Sequence, residues 1–266
     1  MNTPAAFFRD HPIASNRDRW ATLRSLGLSL VMISTLIAGC EVWSPPTPTT
    51  EELDQGLIVM YPGDFNSSSE MIGFYTGLRD AGVDQAIEIS RWAQPVEASW
   101  AREQFWEKFP AWAEGEAARL AEYQAAHPGS PLTLLSYSGG AMAAIMAAER
   151  MPAGTAVDRV VLLSPGVSPD YDLTRMLANV RDQAIVYWSP KEAQVGGLLL
   201  QWCGTVDGNF TDAAGISGFK GTYDKLLQVE WQPEMSTLGN NGDHLDYFLS
   251  VPWIREYVGS WVAPNP

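Results

Sequence analysis

The chain of 266 residues is poor in cysteine, histidine and basic residues. Cys40 and Cys203 are its only cysteines, so no cysteine cluster suggests a zinc or iron–sulfur site, and we expect neither a metal nor an organic cofactor. The neighbours of Cys203, Trp202 and Gly204, indicate a buried thiol. Lys and Arg total 17 against 31 Asp and Glu, a net charge of −14. Because such a surface repels phosphate backbones, we expect no nucleic-acid partner.

The longest uncharged run near the N-terminus is too short for a membrane-spanning helix. It covers residues 25–40, 16 positions, whereas a span needs about 20 apolar residues. Arg17, Arg19 and Arg24 precede the run, and small residues close it. A basic flank, a short apolar stretch and a small-residue cleavage site are typical of a secretory signal peptide, which we predict over residues 1–39. An uncleaved signal anchor is the alternative.

The end of this run, Leu36-Ile-Ala-Gly-Cys40, resembles the lipobox of bacterial lipoproteins. In that family the cysteine is acylated and the signal is cut before it. The resemblance therefore implies lipidation of Cys40 and a membrane-anchored protein that faces outside the cytoplasm, since several acyl chains together give stable anchoring. Residues 40–55 begin with this cysteine and include Ser44-Pro-Pro-Thr-Pro-Thr-Thr50, a composition that predicts an extended tether holding the domain just off the membrane.

From residue 56 to 266, short apolar runs alternate with helical patterns. The predicted strands are Gly56–Tyr61, Gln85–Trp92, Leu132–Tyr137, Val157–Leu163, Ala184–Trp188 and Leu226–Trp231. The predicted helices are Ser69–Ala81, Trp100–Ala126 with a break at Pro110, Ala141–Arg150, Tyr171–Val180, and a C-terminal helix from near His244 toward Trp261 that Pro252 bends or interrupts. Strands that alternate with helices predict an α/β fold, a three-layer α/β/α sandwich on a mostly parallel sheet of about six strands.

Ser138 is the candidate nucleophile. It lies between a predicted strand and an Ala-rich helix, with the small residues Ser136 and Gly140 two positions away on either side. A strained turn of this kind needs small flanking residues because strand and helix crowd it, and it points the hydroxyl outward. The turn also aims the N–H of Gly139 at a developing oxyanion. An ordinary Ser/Gly turn is the alternative, and the strand–helix setting favours the nucleophile.

In this setting the chain resembles the α/β-hydrolase superfamily over about residues 57–262. The departure is Ser136, where glycine is commonest in the family. The resemblance implies the chain order nucleophile, acid, histidine. His244, in the loop before the last helix, takes the place of the base. Behind the predicted signal the only other histidine is His127, in a turn at the opposite end of the predicted sheet.

The family places the acid in the loop after the strand Ala184–Trp188, where Glu192 is the first candidate. Asp207 is the second and Asp172 the third, and these alternatives stay open at the level of sequence.

The family also places a second oxyanion donor in the loop after the first strand. Gly63 lets that backbone turn inward, and the N–H of Asp64 or Phe65 is the predicted donor. The following segment, Ser67 to Glu70, has the pattern of a helix cap.

These residues together predict a cofactor-free serine hydrolase that cleaves an ester or related acyl bond of a small-molecule or lipid-like substrate. The alternative is a lipoprotein that keeps the fold and only binds or scaffolds. Five aromatic residues of the predicted insertion could serve either the core or an acyl pocket, and large apolar side chains favour the core: Trp100, Phe105, Trp106, Phe109 and Trp112.

Overall fold

The computed structural model describes residues 43–93, 102–194 and 204–263. The predicted signal peptide, Cys40, Trp100 and Cys203 lie outside these ranges. Among the helices that fall within them, none combines the length and the apolar character that crossing a membrane requires.

Six strands of the described chain form one sheet in which all neighbours run parallel. They are β1 Leu57–Tyr61, β2 Ala86–Ile89, β3 Leu132–Tyr137, β4 Val157–Leu163, β5 Val180–Trp188 and β6 Leu226–Glu230. Their order is β2-β1-β3-β4-β5-β6, which confirms the predicted fold class. The winding direction reverses between β1 and β3. In open α/β sheets such a switch point leaves a crevice at the carboxyl ends of the strands, where ligands bind.

The helices connect these strands. They are α1 Thr50–Gln55, α2 Ile72–Asp80, α3 Arg102–Ala126, α4 Gly140–Glu149, α5 Thr174–Ala178, α6 Ala214–Ser217, α7 Asp246–Leu249, α8 Val251–Trp253 and α9 Gly259–Val262. Short 3₁₀ turns occupy Ser68–Met71, Pro190–Gln194 and Pro233–Leu238, and a π turn, Ile254–Val258, joins α8 to α9.

Two apolar cores lie on the two faces of the sheet. Side chains alternate between the faces of a strand, so Val59 and Tyr61 pack with α3 and α4 in one core, whereas Ile58 and Met60 pack with α2 and the C-terminal helices in the other. All five residues of β1 are buried. Burial on both faces is what its uninterrupted apolar sequence requires.

The predicted break at Pro110 is wrong, because α3 continues from Arg102 to Ala126. A proline removes one backbone hydrogen bond from a helix interior. Here Phe105 and Phe109, on the same helix face, are only 2% and 1% exposed, and their burial holds the helix together across the proline. Both therefore belong to the core, as predicted. Trp106 is partly buried against them.

The C-terminal helical region is interrupted, as predicted, although the break falls at Ser250 rather than at Pro252. Ser250 has φ −89° and ψ 77°, which ends α7 at Leu249. Pro252 then lies in the first turn of α8, where its missing N–H leaves no helical bond unmade.

The segment before β1 departs only in part from the extended spacer predicted for it. Residues 43–49 have no regular structure, and Thr50–Gln55 form α1. Thr49 and Glu52 make a reciprocal capping box at its start. Glu52 also forms a 2.8 Å ion pair with Arg79 at the end of α2, so this part of the chain is fastened to the domain.

Candidate active site

Ser138 lies in a sharp turn between β3 and α4. Its φ of 52° places it in the left-handed region, where a residue other than glycine is strained. Its N–H donates to the carbonyl of Leu163 at 3.0 Å, which fixes the turn against β4. A Cβ at Gly140 would come within 2.3 Å of the Pro62 carbonyl oxygen, so only glycine fits there. The predicted small residue is therefore a steric necessity.

His244 lies beside this turn. Its Nε2 is 3.0 Å from the Ser138 Oγ, and its Nδ1 is 2.9 Å from Glu192 Oε2. Glu192 belongs to the 3₁₀ turn after β5, and its side chain is 2% exposed, against 21% for that of His244. The structure thus brings the three predicted residues into one chain of hydrogen-bond contacts.

Contacts to its backbone and ring position the His244 loop. Tyr137, the residue before Ser138, donates its hydroxyl to the His244 carbonyl at 3.1 Å, and its ring lies 5.1 Å from the imidazole. Trp231, just after β6, donates its indole N–H to the Asn240 carbonyl at 2.9 Å. The loop is therefore held by Tyr137 at the end of β3 and by Trp231 after the edge strand β6.

The two alternative acids have other partners. Asp207 accepts the N–H of Ser168 at 2.9 Å and also bonds the hydroxyl of Ser168. Asp172 is exposed and accepts the N–H of Thr174 at 2.9 Å. Of the three candidates in the described part of the chain, Glu192 is thus the one that contacts His244.

No local sequence pattern indicates a second serine in the site, Ser164, which follows β4. Its Oγ lies 2.5 Å from Glu192 Oε2 and 2.7 Å from His244 Nδ1. Since a hydroxyl has one proton, donation to the carboxylate leaves an oxygen lone pair facing Nδ1–H. Ser164 is 1% exposed and, like Ser138, has a positive φ, 48°. Its place at a strand end next to β3 is the only signal that could have suggested it.

The loop after β1 forms a turn at the switch point. The Asn66 N–H donates to the Gly63 carbonyl at 2.8 Å, which leaves the predicted donors Asp64 and Phe65 at its tip. The carboxylate of Asp64 lies against Gly139, since a Cβ built there would be 2.1 Å from Asp64 Oδ1. The turn is therefore close to the backbone that follows Ser138.

Glu70 stabilises the turn after β1 through a hydrogen bond from its backbone. Ser67 caps the 3₁₀ turn, as the sequence predicted, with the Ser69 N–H donating to its Oγ at 3.3 Å. The side chain of Glu70, in contrast, is turned inward and only 4% of the residue is exposed. Its Oε2 accepts the N–H of Gly63 at 2.9 Å. Glu70 therefore ties the loop after β1 to the start of α2.

Three carboxylates act on His244. Burial favours the neutral imidazole, but the hydrogen bond and charge of Glu192, together with the charges of Asp64 and Glu70, outweigh it and raise the pKa of His244. Burial raises the pKa of Glu70 to about 8, against the stabilising bond from Gly63, and the charge of Asp64 adds to this rise. The imidazole is therefore a stronger base than an isolated histidine.

Comparison with known proteins yields similarity of fold only. No protein-family model and no curated protein matches the chain. RedJ, a thioesterase from the prodiginine pathway of Streptomyces coelicolor, is 13% identical with a TM-score of 0.44, over 96% of this chain and 99% of its own. Aspergillus fumigatus lipase B is 11% identical with a TM-score of 0.49, over 79% of this chain, which spans only 53% of the lipase. Esterase PE8 is 13% identical with a TM-score of 0.37, over 71% of this chain and 89% of its own.

The parallel six-stranded sheet, its order and its helical layers define the fold class as a doubly wound α/β/α sandwich. A fold of this class supports many reactions, so the activity has to be argued from the side chains around Ser138.

Proposed function

We propose that the chain is a lipid-anchored serine hydrolase that cleaves an ester or related acyl bond outside the cytoplasm. The observation that carries this proposal is the run of contacts from Ser138 Oγ through His244 to Glu192 Oε2. It lies at the switch point of the sheet and begins at a strained turn, and strain of this kind clusters at functional sites. The anchor part of the proposal depends on the lipobox at Cys40.

In the proposed reaction the Ser138 oxygen attacks the acyl carbonyl carbon while its proton passes to His244 Nε2. The carbonyl oxygen becomes an oxyanion, which the N–H of Gly139 and an N–H of the Asp64–Phe65 turn would accommodate. The intermediate collapses, the C–O bond to the leaving group breaks, and the leaving group takes the proton from His244. Water then attacks the acyl-serine by the same route and releases the acid and free Ser138.

Glu192 and Ser164 support this sequence from the other side of the ring. With Nδ1–H pointing at Glu192 Oε2, the lone pair of Nε2 faces Ser138, which is the tautomer that a general base needs. The carboxylate also stabilises the imidazolium formed during the reaction. Ser164, which bonds the same carboxylate oxygen, is a positioning residue in this scheme.

One observation favours the alternative of a binding protein without activity. The Asp64 carboxylate lies beside Gly139, where a negative charge opposes an oxyanion. If this charge abolished catalysis, the fold would only bind its ligand. The two functions differ in whether Ser138 can be acylated.

A fluorophosphonate probe tests the proposal, because it modifies only an activated serine. We expect stoichiometric labelling of the purified chain at Ser138, its loss in Ser138→Ala, and strongly slowed labelling in His244→Ala. Ser130→Ala is the matched control, because Ser130 precedes β3 at the opposite end of the sheet. Labelling that persists in Ser138→Ala, or none in the unmodified chain, would reject the hydrolase. Mass spectrometry of the mature N-terminus tests acylation of Cys40 separately.

A further inference from the structure

Trp43, the first described residue, packs on the domain near the carboxyl ends of the strands, where Ser138 also lies. The ring of Trp43 packs edge-to-face on Tyr75 at 5.5 Å, and its carbonyl accepts the Ser68 hydroxyl at 2.6 Å. Both partners lie near the start of α2, which follows the carboxyl end of β1. From there residues 43–55 run back along α2 to the Glu52–Arg79 ion pair at its far end. Residues 43–55 therefore begin near the Ser138 site, whereas β1, which follows them, begins at the opposite end of the sheet, where the amino ends of the strands lie.

This course limits where a lipid on Cys40 can be. Cys40 precedes Trp43 by three residues, and three residues span at most about 11 Å even when fully extended. The longer tether expected from the composition of residues 40–55 is not available as a spacer, because Trp43 and α1 are packed on the domain. If Cys40 is acylated as proposed, the lipid is attached to the chain within that reach of Trp43.

Exposed apolar side chains lie at this edge. Ile72 is 39% exposed, Leu245 43% and Leu249 62%. Leu245 directly follows His244, and Leu249 lies one helical turn further, with its N–H donating to the Leu245 carbonyl at 3.1 Å. These two leucines therefore share one side of α7.

Ile72 belongs to the same surface because α7 rests on the start of α2. A Cβ at Gly73, the residue after Ile72, would lie 1.9 Å from the carbonyl oxygen of Phe248 in α7. Tyr75, whose ring packs against Trp43, lies one turn further along α2 than Ile72. Exposed apolar side chains thus occur both near the point where the chain enters and next to His244.

Charge favours docking through apolar contact over attraction to headgroups. The net charge of the chain is −14, which disfavours approach to an anionic membrane. Exposed Ile and Leu side chains gain free energy by entering the boundary between headgroups and acyl chains irrespective of headgroup charge. A bilayer surface close to the anchor is therefore the expected occupant, because it offers apolar contact and does not depend on attraction between opposite charges.

We propose that Ile72, Leu245 and Leu249 form a membrane-docking face that seats the mouth of the Ser138 site on the bilayer carrying the anchor. This inference rests on the proposed function through the anchor at Cys40. It specifies the substrate class as an acyl ester that resides in the membrane, such as a lipid, in preference to an ester dissolved in water.

A depth-sensitive probe tests the docking face without relying on activity. The full chain with Cys203→Ser is given a single reporter cysteine, Leu249→Cys, labelled with an environment-sensitive fluorophore and reconstituted into phosphatidylcholine vesicles containing nitroxide-labelled lipid. Ala118→Cys is the matched control, because Ala118 is exposed on α3, in the helical layer on the other face of the sheet. We expect strong quenching at position 249 and little at 118.

The outcomes separate the anchor from the face. Equal quenching at both positions in chains that float with the vesicles would overturn the docking face and leave the anchor standing. Failure to float would overturn both. Weak quenching at 249 with crosslinking between chains would assign the surface to a second copy and also reject the proposal. Anionic phosphatidylglycerol vesicles should give no stronger quenching than phosphatidylcholine.

An activity arm then tests the substrate class. In Ile72→Asp/Leu249→Asp, hydrolysis of a long-chain ester embedded in vesicles should fall about tenfold or more, the order of effect expected when two exposed apolar side chains lose their contact with lipid. Hydrolysis of a short soluble ester should stay within about twofold, because both substitutions are at exposed positions outside the Ser138–His244–Glu192 hydrogen-bond contacts. Ala118→Asp adds one charge to the other helical layer and should change neither rate. An unchanged rate on the embedded ester in the double variant would contradict the proposal, whereas no rate on either ester in the unmodified chain would count against the hydrolase itself.

Discussion

Two neighbouring strands of the sheet end in the same way and present their serines to opposite sides of one imidazole. Ser138 after β3 has φ 52° and donates its N–H to Leu163, the last residue of β4. Ser164 after β4 has φ 48° and donates its N–H to Tyr187 of β5 at 2.9 Å. The backbone arrangement is repeated one strand further along the sheet.

The surroundings of the two serines differ. Ser138 is partly exposed, faces the unprotonated nitrogen of His244 and is followed by the start of α4. Ser164 is 1% exposed, bonds a buried carboxylate and is followed by a proline, without a helix at that point. A partly exposed serine that faces an unprotonated nitrogen can react with substrate, whereas one that donates to a carboxylate can only position it. The same turn therefore supports different roles, decided by burial and by the hydrogen-bond partner.

The largest expected effect comes from removing the Ser138 hydroxyl. Ser138→Ala should lower kcat for ester hydrolysis by at least about 10⁴-fold, because the hydroxyl that would form the acyl intermediate is lost. Thermal unfolding should change little, since alanine can share the backbone conformation of serine. A stopped assay on purified protein, alongside circular dichroism, measures both. Residual activity within about tenfold of the unmodified chain would mean that Ser138 is not the nucleophile.

Removing the charge on the other side of the ring should have a smaller effect. Glu192→Gln keeps the shape of the side chain but loses the charge that stabilises the imidazolium, and we expect kcat to fall by about 10²- to 10⁴-fold. The pKa of His244 should also fall, because the hydrogen bond and charge of Glu192 raise it. Asp207→Asn is the matched control, since Asp207 bonds Ser168 instead. A larger loss of activity in Asp207→Asn than in Glu192→Gln would reverse the assignment.

Ser164 offers a pair of substitutions that separates its hydroxyl from its strained backbone. Ser164→Ala removes the donor to Glu192 and should lower kcat by about 10- to 100-fold, the range expected for a lost hydrogen bond to a charged group. Ser164→Gly removes the same hydroxyl but relieves the positive φ, worth about 1 kcal/mol. Both variants should therefore lose similar activity, while the glycine variant unfolds at the higher temperature.

The positioning role of Ser164 also predicts a change in the pH–rate profile of both variants. A merely structural role would lower activity in proportion to stability, so that alanine would be the worse variant and the profile would not move. That pattern would show that Ser164 matters for the backbone alone.

The parts of the site that could be predicted from sequence are those fixed by the topology. Ser138, His244 and Glu192 follow different strands or precede the last helix, and in a parallel sheet these points converge at one edge. Ser164 also follows a strand, but Leu163-Ser-Pro-Gly166 has the composition of an ordinary turn. Its contact with Glu192 depends on how two loops meet, which no local pattern encodes.

The differences in the fold have a similar origin in tertiary contacts. Local propensity predicts a break at Pro110, yet burial of Phe109 outweighs one missing hydrogen bond. Proline density predicts an extended tether, yet its last residues, Thr50–Gln55, form a helix whose Glu52 pairs with Arg79 of α2. Glu70 has the spacing of a cap residue, and the N–H of Gly63 draws it inward. In each case a contact between distant residues overrides a local preference.

The smallest effects should come from neutralising Asp64 and Glu70, the carboxylates on the Ser138 side of the His244 ring. The activity of His244 requires its neutral form, so the rate should rise with pH through the pKa of His244. Asp64 and Glu70 both raise that pKa. Asp64→Asn should therefore move the acid limb of the profile to lower pH and give a severalfold higher rate on that limb. Glu70→Gln should move it less, because the raised pKa of Glu70, about 8, keeps its carboxyl largely protonated on that limb. A profile that stays in place would show that these charges do not reach the imidazole.

Glu70 should also change stability with pH, because burial raises its pKa in the folded chain to about 8 from 4.5. The folded state thus binds the proton more tightly than the unfolded state, so stability should fall as pH rises from about 4.5 to about 8. Glu70→Gln is neutral throughout and keeps an oxygen for the Gly63 N–H, so it should match the unmodified chain near pH 4 and melt at a higher temperature near pH 9. Glu70→Leu, which leaves that N–H unpaired, should be less stable than Glu70→Gln at both values. Parallel melting curves for the glutamate and glutamine forms would mean that the carboxyl is ionised in the folded chain across this range. The raised pKa of His244 would then depend on an ionised Glu70 as well as on Asp64 and Glu192.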